Sequence, residues 1–235
     1  MAPVTQSDLY VGYETWKGWD KPFTYSAEDA SAFAGETREL RIEGADVLEI
    51  GFGSGSFLAW ARDSKAKIVG VEINPRLIEA ATRFDVELLP AEFERVATAN
   101  ASRFDTIVAF DVFEHFVLDD VIARLRACEI MLKPLGHLIL RFPNAQSPFG
   151  MAPQNSDPTH KSVLSRSVIE HLSRDLAFQI TRYGPSFRIG GGSLKKRLGR
   201  RMQNVARDMI AAALNAIYAQ NIPWDPVVVL VLKKG

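Results

Sequence analysis

Glycines and one carboxylate, Glu49, stand close together in the segment EIGFGSG at residues 49–55, directly after an apolar run. Three glycines in five residues let the backbone turn sharply and let a ligand approach the peptide groups. A dinucleotide loop of the form G-x-G-x-x-G would need glycine where Ser56 stands, and Glu49 would repel a pyrophosphate. S-adenosylmethionine (SAM), which carries a sulfonium and an ammonium group and no phosphate, fits this loop better than NAD.

Further carboxylates follow the next two apolar runs. Glu72 lies 17 residues after Gly55, close to the ~20 expected of an acid that binds ribose hydroxyls. Glu92 and Phe93 follow the third run, where the acid could accept a hydrogen bond from an adenine amino group and the ring could pack on the base. An equally open alternative is that Glu92 is a solvated residue at the start of a helix.

Two of the four histidines lie where a proton acceptor would be useful. His115 follows an apolar run, and His160 lies in a later polar loop together with Asp157. Histidine is the usual general base at neutral pH, so we predict His115 and His160 as base candidates, with Asp157 as orienting partner or minor candidate. His137 and His171 are predicted to be structural.

Asp111, Glu114, His115 and His160 also suggest a second reading of the same histidines. Oxygen-rich ligands with one or two imidazoles could hold Mg²⁺ or Mn²⁺. A metal-free, hydrogen-bonded loop is the preferred interpretation, so no metal ligands are predicted. Loss of activity in EDTA that Mg²⁺ restores would reverse this preference.

These residues lie at the ends of short apolar stretches that alternate with helical segments. Each stretch is apolar on both faces, as in parallel strands covered by helices, and the five occur at residues 47–50, 68–72, 86–89, 106–110 and 138–142. Residues 178–183 and 227–232 predict two final strands that pair antiparallel at the sheet edge. The predicted fold is α/β: a Rossmann-like, doubly wound, seven-stranded sheet, mostly parallel with an antiparallel edge strand.

Three segments outside this pattern are predicted to surround the site. Residues 1–44 carry six aromatic residues within sixteen positions and predict an N-terminal cap. Residues 45–235 form the SAM-binding domain, in which the long polar loop 143–162 is a candidate substrate lid. Residues 190–222 form a helical insertion before the last strand.

The segments VLEIGFGSG, VGVEIN, FDTIVAFDVFEHF and LKPLGHLILRFPN occur in the order found in class I SAM-dependent methyltransferases, which the chain resembles between about residues 45 and 150. The resemblance implies that Glu49 and the glycines surround the methionine part of SAM. It also implies that Glu72 holds the ribose, that Glu92 and Phe93 neighbour adenine, and that Asp111 lies near the amino acid end. With two neighbouring positions, the predicted contact residues are Glu49, Gly51, Phe52, Gly53, Gly55, Glu72, Ile73, Glu92, Phe93 and Asp111.

Residues 141–150 and 157–160 are similar to a bacterial branch associated with glycan, O-antigen and capsule biosynthesis. This implies methylation of a hydroxyl on a carbohydrate or glycan precursor, which could be nucleotide- or lipid-linked. The alternative is O- or N-methylation of a small molecule, as in the ubiquinone pathway, possibly metal-assisted. An oxidoreductase would need the missing glycine at position 56, and a non-catalytic SAM-binding protein would need neither histidine.

The balance of charges and the amino-acid composition limit the classes of partner and the cellular location that we predict. Lys and Arg number 28 and so do Asp and Glu, so no overall field attracts nucleic acid, and no nucleic-acid partner is predicted. The single cysteine, Cys128, and the lack of a long apolar run or a signal pattern lead us to expect a cytoplasmic protein.

A local positive charge stands at the start of the helical insertion, in Lys195, Lys196, Arg197, Arg200 and Arg201. Positive charge there opposes the helix dipole, so these residues could hold an anionic substrate or touch a membrane surface. The alternative is a solvated helix face with apolar residues packed beneath it, namely Leu194, Leu198, Met202 and Val205.

Overall fold

A single seven-stranded sheet forms the centre of the computed structural model, which describes residues 10 and 12–235. Its strands are β1 (Asp46–Ile50), β2 (Lys67–Val71), β3 (Glu87–Leu88), β4 (Phe104–Phe110), β5 (Leu132–Pro143), β6 (Phe178–Pro185) and β7 (Val227–Lys234). The spatial order is β3-β2-β1-β4-β5-β7-β6. Strands β1 to β5 are parallel, and β7 runs antiparallel to both β5 and β6. The predicted fold class is confirmed.

Eight helices accompany the strands in the described part of the chain. They are α1 (Tyr13–Trp16), α2 (Ala27–Glu36), α3 (Ser56–Asp63), α4 (Pro75–Arg83), α5 (Leu118–Met131), α6 (Met151–Asn155), α7 (Arg166–Leu172) and α8 (Leu194–Tyr218). Side-chain caps begin several of them. Asn74 Oδ1 accepts hydrogen bonds from the backbone at the start of α4, and Ser165 Oγ does so for α7.

The central strands are buried on both faces because helices cover both, whereas the edge strands β3 and β6 are only partly buried. Leu48 and Ile50 of β1 face the layer that contains α5 and α7, whereas Val47 faces the layer that contains α3. This period of two explains why the strands are apolar at nearly every position. Glu49 is the buried carboxylate of β1, at 4% exposure, whereas Asp46 at the start of the strand is half-buried.

Strand β5 begins earlier than the apolar stretch predicted at residues 138–142, although two residues that usually break strands, Pro134 and Gly136, stand before that stretch. Helix α5 ends at Met131, and β5 already begins at Leu132. The register against β4 shifts between Phe104 and Thr106, and Leu135 adopts a left-handed φ of 64°. Residues 133–136 therefore form a bulge inside β5, because the two breakers are absorbed by extra length on one strand.

The segments around the sheet are more regular than predicted. The described part of the cap contains α1 and α2, and residues 1–9 and 11 lie outside the described residues. The predicted lid 143–162 contains a 3-10 turn at Pro148–Gly150 followed by α6. Helix α8 occupies most of the insertion, and among the described residues no helix has the length and apolarity needed to cross a bilayer.

Candidate functional site

A cavity of about 1320 Å³ opens at the carboxyl ends of β1, β2, β4 and β5. Loops after parallel strands meet at this edge, which is where doubly wound sheets bind ligands. The volume exceeds the roughly 300–1000 Å³ of a pocket for one small ligand, so it can hold a donor and an acceptor together. All of the predicted site residues line it except Gly55.

The glycine loop is folded tightly against the cap. Gly53 and Gly55 have φ of +52° and +71°, in the left-handed region that favours glycine. A Cβ on Gly53 would lie 2.9 Å from the Trp19 ring, and one on Gly55 would lie 2.6 Å from Phe23. The glycines therefore allow both the turn and the close packing of the cap.

Two carboxylates face each other across this loop. Glu49 is buried, and its Oε2 has no hydrogen-bond partner among the described residues. Burial, and then the negative charge of Glu72, raise the pKa of Glu49 well above its usual range. A cation beside Glu49 would relieve both effects.

Glu72 is held in place by backbone amides. Its Oε2 accepts a hydrogen bond from Gly53 N (2.8 Å), and its Oε1 accepts from Ile73 N (2.7 Å) and Asn74 N (3.0 Å). These bonds fix the carboxylate at the mouth of the glycine loop. Each carboxylate oxygen can accept more than one hydrogen bond, so capacity remains for hydroxyl groups.

The two predicted adenine neighbours in the loop after β3 differ in their burial. Glu92 is exposed, whereas Phe93 is completely buried. The guanidinium of Arg124 lies 5.9 Å from the centre of the Phe93 ring and 3.9 Å from that of Phe116. Phe93 therefore forms part of the packed cavity wall.

Asp111 is engaged by a residue that the sequence analysis did not select. Its backbone is left-handed with φ 58°, and both of its carboxylate oxygens accept from Arg141 Nε, at 3.1 and 3.0 Å. The Arg141 guanidinium also lies 4.7 Å from the centre of the Phe110 ring. Phe110 and Arg141 are register partners in β4 and β5, so the ion pair closes the strand ends.

Glu114, His115 and His160 form a compact group in the same cavity. One ligand atom from each lies within 4.8 Å of those of the other two. Burial, and then the charge of Asp111, raise the pKa of Glu114 well above its usual range. Neither Glu114 oxygen has a hydrogen-bond partner among the described residues, and His160 Nε2 lies 3.9 Å from Oε1, beyond hydrogen-bond range.

A chain of hydrogen bonds orients His115. Asp157 Oδ1 accepts from Thr159 Oγ1 at 2.5 Å, and Thr159 Oγ1 lies 2.8 Å from His115 Nδ1. Burial, and then the neighbouring His160, lower the pKa of His115 to about 4, so His115 is neutral at pH 7. A hydroxyl has one proton, and Thr159 gives it to Asp157. Thr159 must therefore accept from His115 Nδ1–H, which leaves the lone pair on Nε2.

The same aspartate ties the lid to the cap. Asp157 Oδ2 accepts from Tyr13 Oη at 2.7 Å and from Lys17 Nζ at 2.9 Å. Burial works against ionisation of Asp157, but the hydrogen bonds from Thr159, Tyr13 and Lys17 outweigh it and hold its pKa well below its usual range. Asp157 thus orients His115 through Thr159 rather than by direct contact.

The observed site suits a cationic nucleoside ligand. The Oε2 of Glu49, which has no partner among the described residues, offers a site for positive charge. Glu72 has accepting capacity, and the glycine loop leaves peptide groups open to close approach. These features fit SAM. Glu49 and the loop 51–55 would hold its charged end, and Glu72 would hold its ribose.

A divalent ion would take a different ligand set from the one considered in the sequence. Asp111 is paired with Arg141, whereas Glu114, His115 and His160 remain close together with unpartnered carboxylate oxygens. His160 Nδ1 donates to Gln154 O at 2.8 Å, so its Nε2 carries a free lone pair when the ring is neutral. One carboxylate and two imidazoles are ligands suited to Mn²⁺ or a related transition metal.

Several site residues were missed in the sequence analysis. Thr159, Tyr13 and Lys17 act through contacts 44 to 144 residues apart, which no local pattern encodes. The sequence did contain a signal for Arg141, because this residue is a charged position within the predicted strand at residues 138–142. In the structure, Arg141 pairs in register with Phe110, next to Asp111. His137 and His171 lie outside the cavity.

Comparisons with known proteins agree with this fold. A family model described as "Methyltransferase domain" matches residues 25–183. A ubiquinone biosynthesis O-methyltransferase of Xanthomonas euvesicatoria is 29% identical over 107 residues, which cover 43% of this chain and 44% of that relative. The chain thus matches less than half of that relative's length.

Solved structures share the fold at low identity. A SAM-dependent methyltransferase from Mesorhizobium loti has a TM-score of 0.61 at 14% identity, covering 88% of this chain and all of that one. The 1,6-didemethyltoxoflavin N1-methyltransferase of Burkholderia thailandensis has a TM-score of 0.59 at 16% identity, covering 100% and 92%. Its structure contains S-adenosylhomocysteine. With a family model that matches more than half of its residues and with this sheet order, the chain belongs to the methyltransferase domain family, on the class I SAM-dependent methyltransferase fold.

Proposed function

We propose that this chain transfers a methyl group from SAM to a hydroxyl of a small acceptor, with His115 as the general base. The observation that carries the proposal is the Asp157–Thr159–His115 chain, which holds a neutral imidazole in one tautomer beside the cavity. SAM, when bound, supplies an electrophilic methyl group on its sulfonium. The chain's own residues bind it, align the acceptor and take up the acceptor proton.

Binding of SAM is proposed to rest on two charges with different surroundings. Glu49 is buried and its Oε2 is unpartnered among the described residues, so this oxygen can accept the cationic end of the ligand. Glu72 is held by three backbone amides, so its position is fixed before a ribose arrives. Preorganised contacts of this kind lower the entropy cost of binding.

Removal of the acceptor proton falls to His115 Nε2. The charged Asp157 stabilises the imidazolium that forms, with Thr159 between them. Burial raises the pKa of Glu114, which favours its neutral form and so limits competing negative charge beside His115. Alignment of the acceptor supplies a further share of the rate, because well-oriented groups react as if at high concentration.

Aromatic residues of the cap favour an acceptor that contains a ring. Tyr10, Tyr13, Trp19 and Phe33 line the same cavity as His115. Such faces pack against sugar rings and against small aromatic rings. We propose the glycan precursor predicted from residues 141–150 as the first candidate acceptor. Its support is the sequence resemblance, and the cytoplasmic location likewise remains a prediction.

A second candidate is metal-assisted O-methylation of a small phenol. Two observations favour it, namely the Glu114, His115 and His160 group and the name of the Xanthomonas relatives. A divalent ion held by these residues would acidify the acceptor hydroxyl, and His115 would then act as a ligand instead of a base.

One experiment separates these proposals. Methyl-labelled SAM is incubated with a panel of nucleotide sugars and lipid-linked glycans and with a panel of phenols and catechols, each with and without EDTA. Label in a sugar hydroxyl that EDTA does not reduce supports the first candidate. Label in a phenol that EDTA abolishes and Mn²⁺ restores supports the second. SAM binding without methylation of any hydroxyl, but with methylation of amines, would overturn the O-methylation proposal.

A further inference from the structure

Helix α8 turns its apolar side to solvent. Leu194, Leu198, Met202, Val205 and Met209 follow one another at spacings of three and four residues, which places them on one stripe. All five are exposed, from 51% for Val205 to 81% for Leu194. No residue of the 25-residue helix is buried. The packing of this stripe beneath the helix, considered in the sequence analysis, is not observed.

The opposite side of α8 holds the helix to the body through polar contacts. Near the start of the helix, Arg200 donates to Glu28 of α2 and to Gly191 O. In the middle, Asp208 accepts from Arg188. Near the end, Asn215 Oδ1 accepts from Trp224 Nε1 at 2.9 Å. Arg200 and Asn215 are half-buried. The outward direction of the stripe is thus set by contacts on the polar side of the helix.

Basic side chains border the stripe and also lie on the far side of the helix. At 3.6 residues per turn, Lys195 and Arg201 flank the stripe, whereas Lys196 and Arg207 lie on the opposite side. Lys195, Lys196, Arg197, Arg201 and Arg207 lie on α8, and none has a carboxylate within ion-pair distance among residues 10 and 12–235. Asp208 is the only acid on the helix, and it is bonded to Arg188 at 2.6 Å. An occupant of this surface therefore needs an apolar interior and a negatively charged rim.

A second copy of the chain does not supply that chemistry through the same helix. Two copies of α8 side by side would offer each other cations and one acid that is already paired. Like charges across an interface weaken association. An anionic lipid surface offers acyl chains for the Leu, Met and Val side chains and phosphate groups for the Lys and Arg side chains.

We propose that α8 lies in the plane of an anionic lipid surface, with the stripe Leu194, Leu198, Met202, Val205 and Met209 inserted among the acyl chains. The flanking cations contact the lipid headgroups. At 1.5 Å per residue the helix spans about 38 Å along the surface, so it forms an extended contact. This surface is separate from the cavity, because no residue of α8 lines it.

The test measures binding of the full chain to lipid vesicles by flotation. Vesicles of phosphatidylcholine alone are compared with vesicles that also contain phosphatidylglycerol. Met202→Glu places a negative charge on the stripe, and Gln203→Glu places the same charge on the neighbouring exposed residue off the stripe. Because the two variants have equal net charge, their difference reports insertion of the stripe alone.

We expect wild-type protein to bind the anionic vesicles and to be released by salt. Met202→Glu should lower the partition coefficient about tenfold or more relative to Gln203→Glu. Removing one cation, as in Lys195→Gln, should lower it about fivefold. Leu198→Gln provides a second variant of the stripe. Circular dichroism and binding of S-adenosylhomocysteine check that each variant is folded.

Three outcomes of the vesicle assay would overturn the proposal. They are equal binding to neutral and anionic vesicles, no binding to either, and equal effects of Met202→Glu and Gln203→Glu. A concentration-dependent doubling of mass in solution that Met202→Glu abolishes would assign the stripe to a second copy instead. Saturable binding of a purified acidic protein to the stripe, with no binding to lipid, would also overturn it.

Discussion

Thr159 determines which ring nitrogen of His115 carries the proton, because the hydroxyl proton of Thr159 is already donated to Asp157. Asp157 is charged, Thr159 donates to it, and His115 Nδ1 must then donate to Thr159. This fixes Nε2 as the atom that can accept a proton. We expect His115→Asn to lower kcat about 10²- to 10⁴-fold, with binding of S-adenosylhomocysteine unchanged in calorimetry.

The exposed His171 offers a matched control for this variant. His171→Asn makes the same chemical change outside the cavity and should keep wild-type kcat. The pH profile gives a second check. Because the pKa of His115 is lowered to about 4, the imidazole stays neutral to lower pH than an ordinary histidine, and the acid limb of kcat should lie well below pH 6.5. Wild-type kcat in His115→Asn would exclude His115 as the base.

Glu49 predicts a pH dependence of SAM binding. Its pKa in the free protein is raised, and a bound cation stabilises the ionised form and lowers that pKa again. Binding should therefore release protons, and affinity should rise as pH increases through the raised pKa. Glu49→Gln should weaken binding roughly 10- to 100-fold and flatten this slope.

The exposed Glu92 is the matched carboxylate for that experiment, because it lines the cavity but is not buried. We expect Glu92→Gln to weaken SAM binding less than Glu49→Gln and to leave the pH slope in place. Calorimetry in buffers of different ionisation enthalpy counts the protons released. The interpretation of Glu49 fails if the two variants show the same slope and the same proton count.

At the scale of single residues, the local sequence was enough to predict many of the residues that line the cavity. Glu49 lies next to the last residue of β1, and Glu72 and His115 follow β2 and β4 within a few positions. The strand pattern alone therefore placed all three at one sheet edge. Thr159 and Lys17 could not be placed in this way, because their roles depend on how the lid and the cap meet. That meeting is a tertiary contact without a sequence period.

At the scale of elements, Asn74 joins two segments. Its Oδ1 caps α4 by accepting from Arg76 N at 3.0 Å and Leu77 N at 3.4 Å, and its Nδ2 donates to Glu14 of α1 at 2.8 Å. Asn74→Ala removes both contacts, and we expect a loss of about 1 kcal/mol or more in the free energy of unfolding. Chemical denaturation measures it.

Asn74→Ser separates the two contributions. Serine retains an oxygen that can cap α4 but is too short to hold Glu14. The serine variant should therefore recover most of the stability of the wild type, while the cap segment becomes more open to proteolysis. Equal destabilisation by the alanine and serine variants would show that the helix cap contributes little.

The elements that the sequence predicted well have a strong local cause. Strands β1, β2 and β4 are apolar runs, and α4 has a proline behind its N-cap. The bulge in β5 was not predicted, because Pro134 and Gly136 normally end an element, and here only pairing with β4 shows that the strand continues. The outward face of α8 was not predicted, since amphipathic spacing does not say which face meets the body.

At the scale of the whole molecule, Cys128 reports global unfolding. The thiol is fully buried on α5 within the larger core cluster, and burial raises its pKa, so the reactive thiolate is disfavoured. We expect thiol reagents to modify it only when the core opens. S-adenosylhomocysteine should slow the reaction in proportion to its stabilisation of the folded state, which mass spectrometry can follow.

A control with a cysteine at the exposed Ala34, the Ala34→Cys variant, shows that the reagent is active under native conditions. It should react quickly at the introduced thiol while Cys128 stays unmodified. Rapid modification of Cys128 in the native wild-type protein, at a rate that the ligand does not change, would mean that α5 opens locally without unfolding of the sheet.

Strand β7 lies between β5 and β6, although it follows both in the chain. A ribosome that has synthesised residues up to 226 has therefore produced six strands, but β6 has no neighbour to pair with. The half-sheet β3-β2-β1-β4-β5 can form earlier, with the β5 edge open to other nascent chains. The seven strands are joined only after the last of them leaves the exit tunnel, so a stalled or shortened translation product would be a substrate for chaperones and proteases.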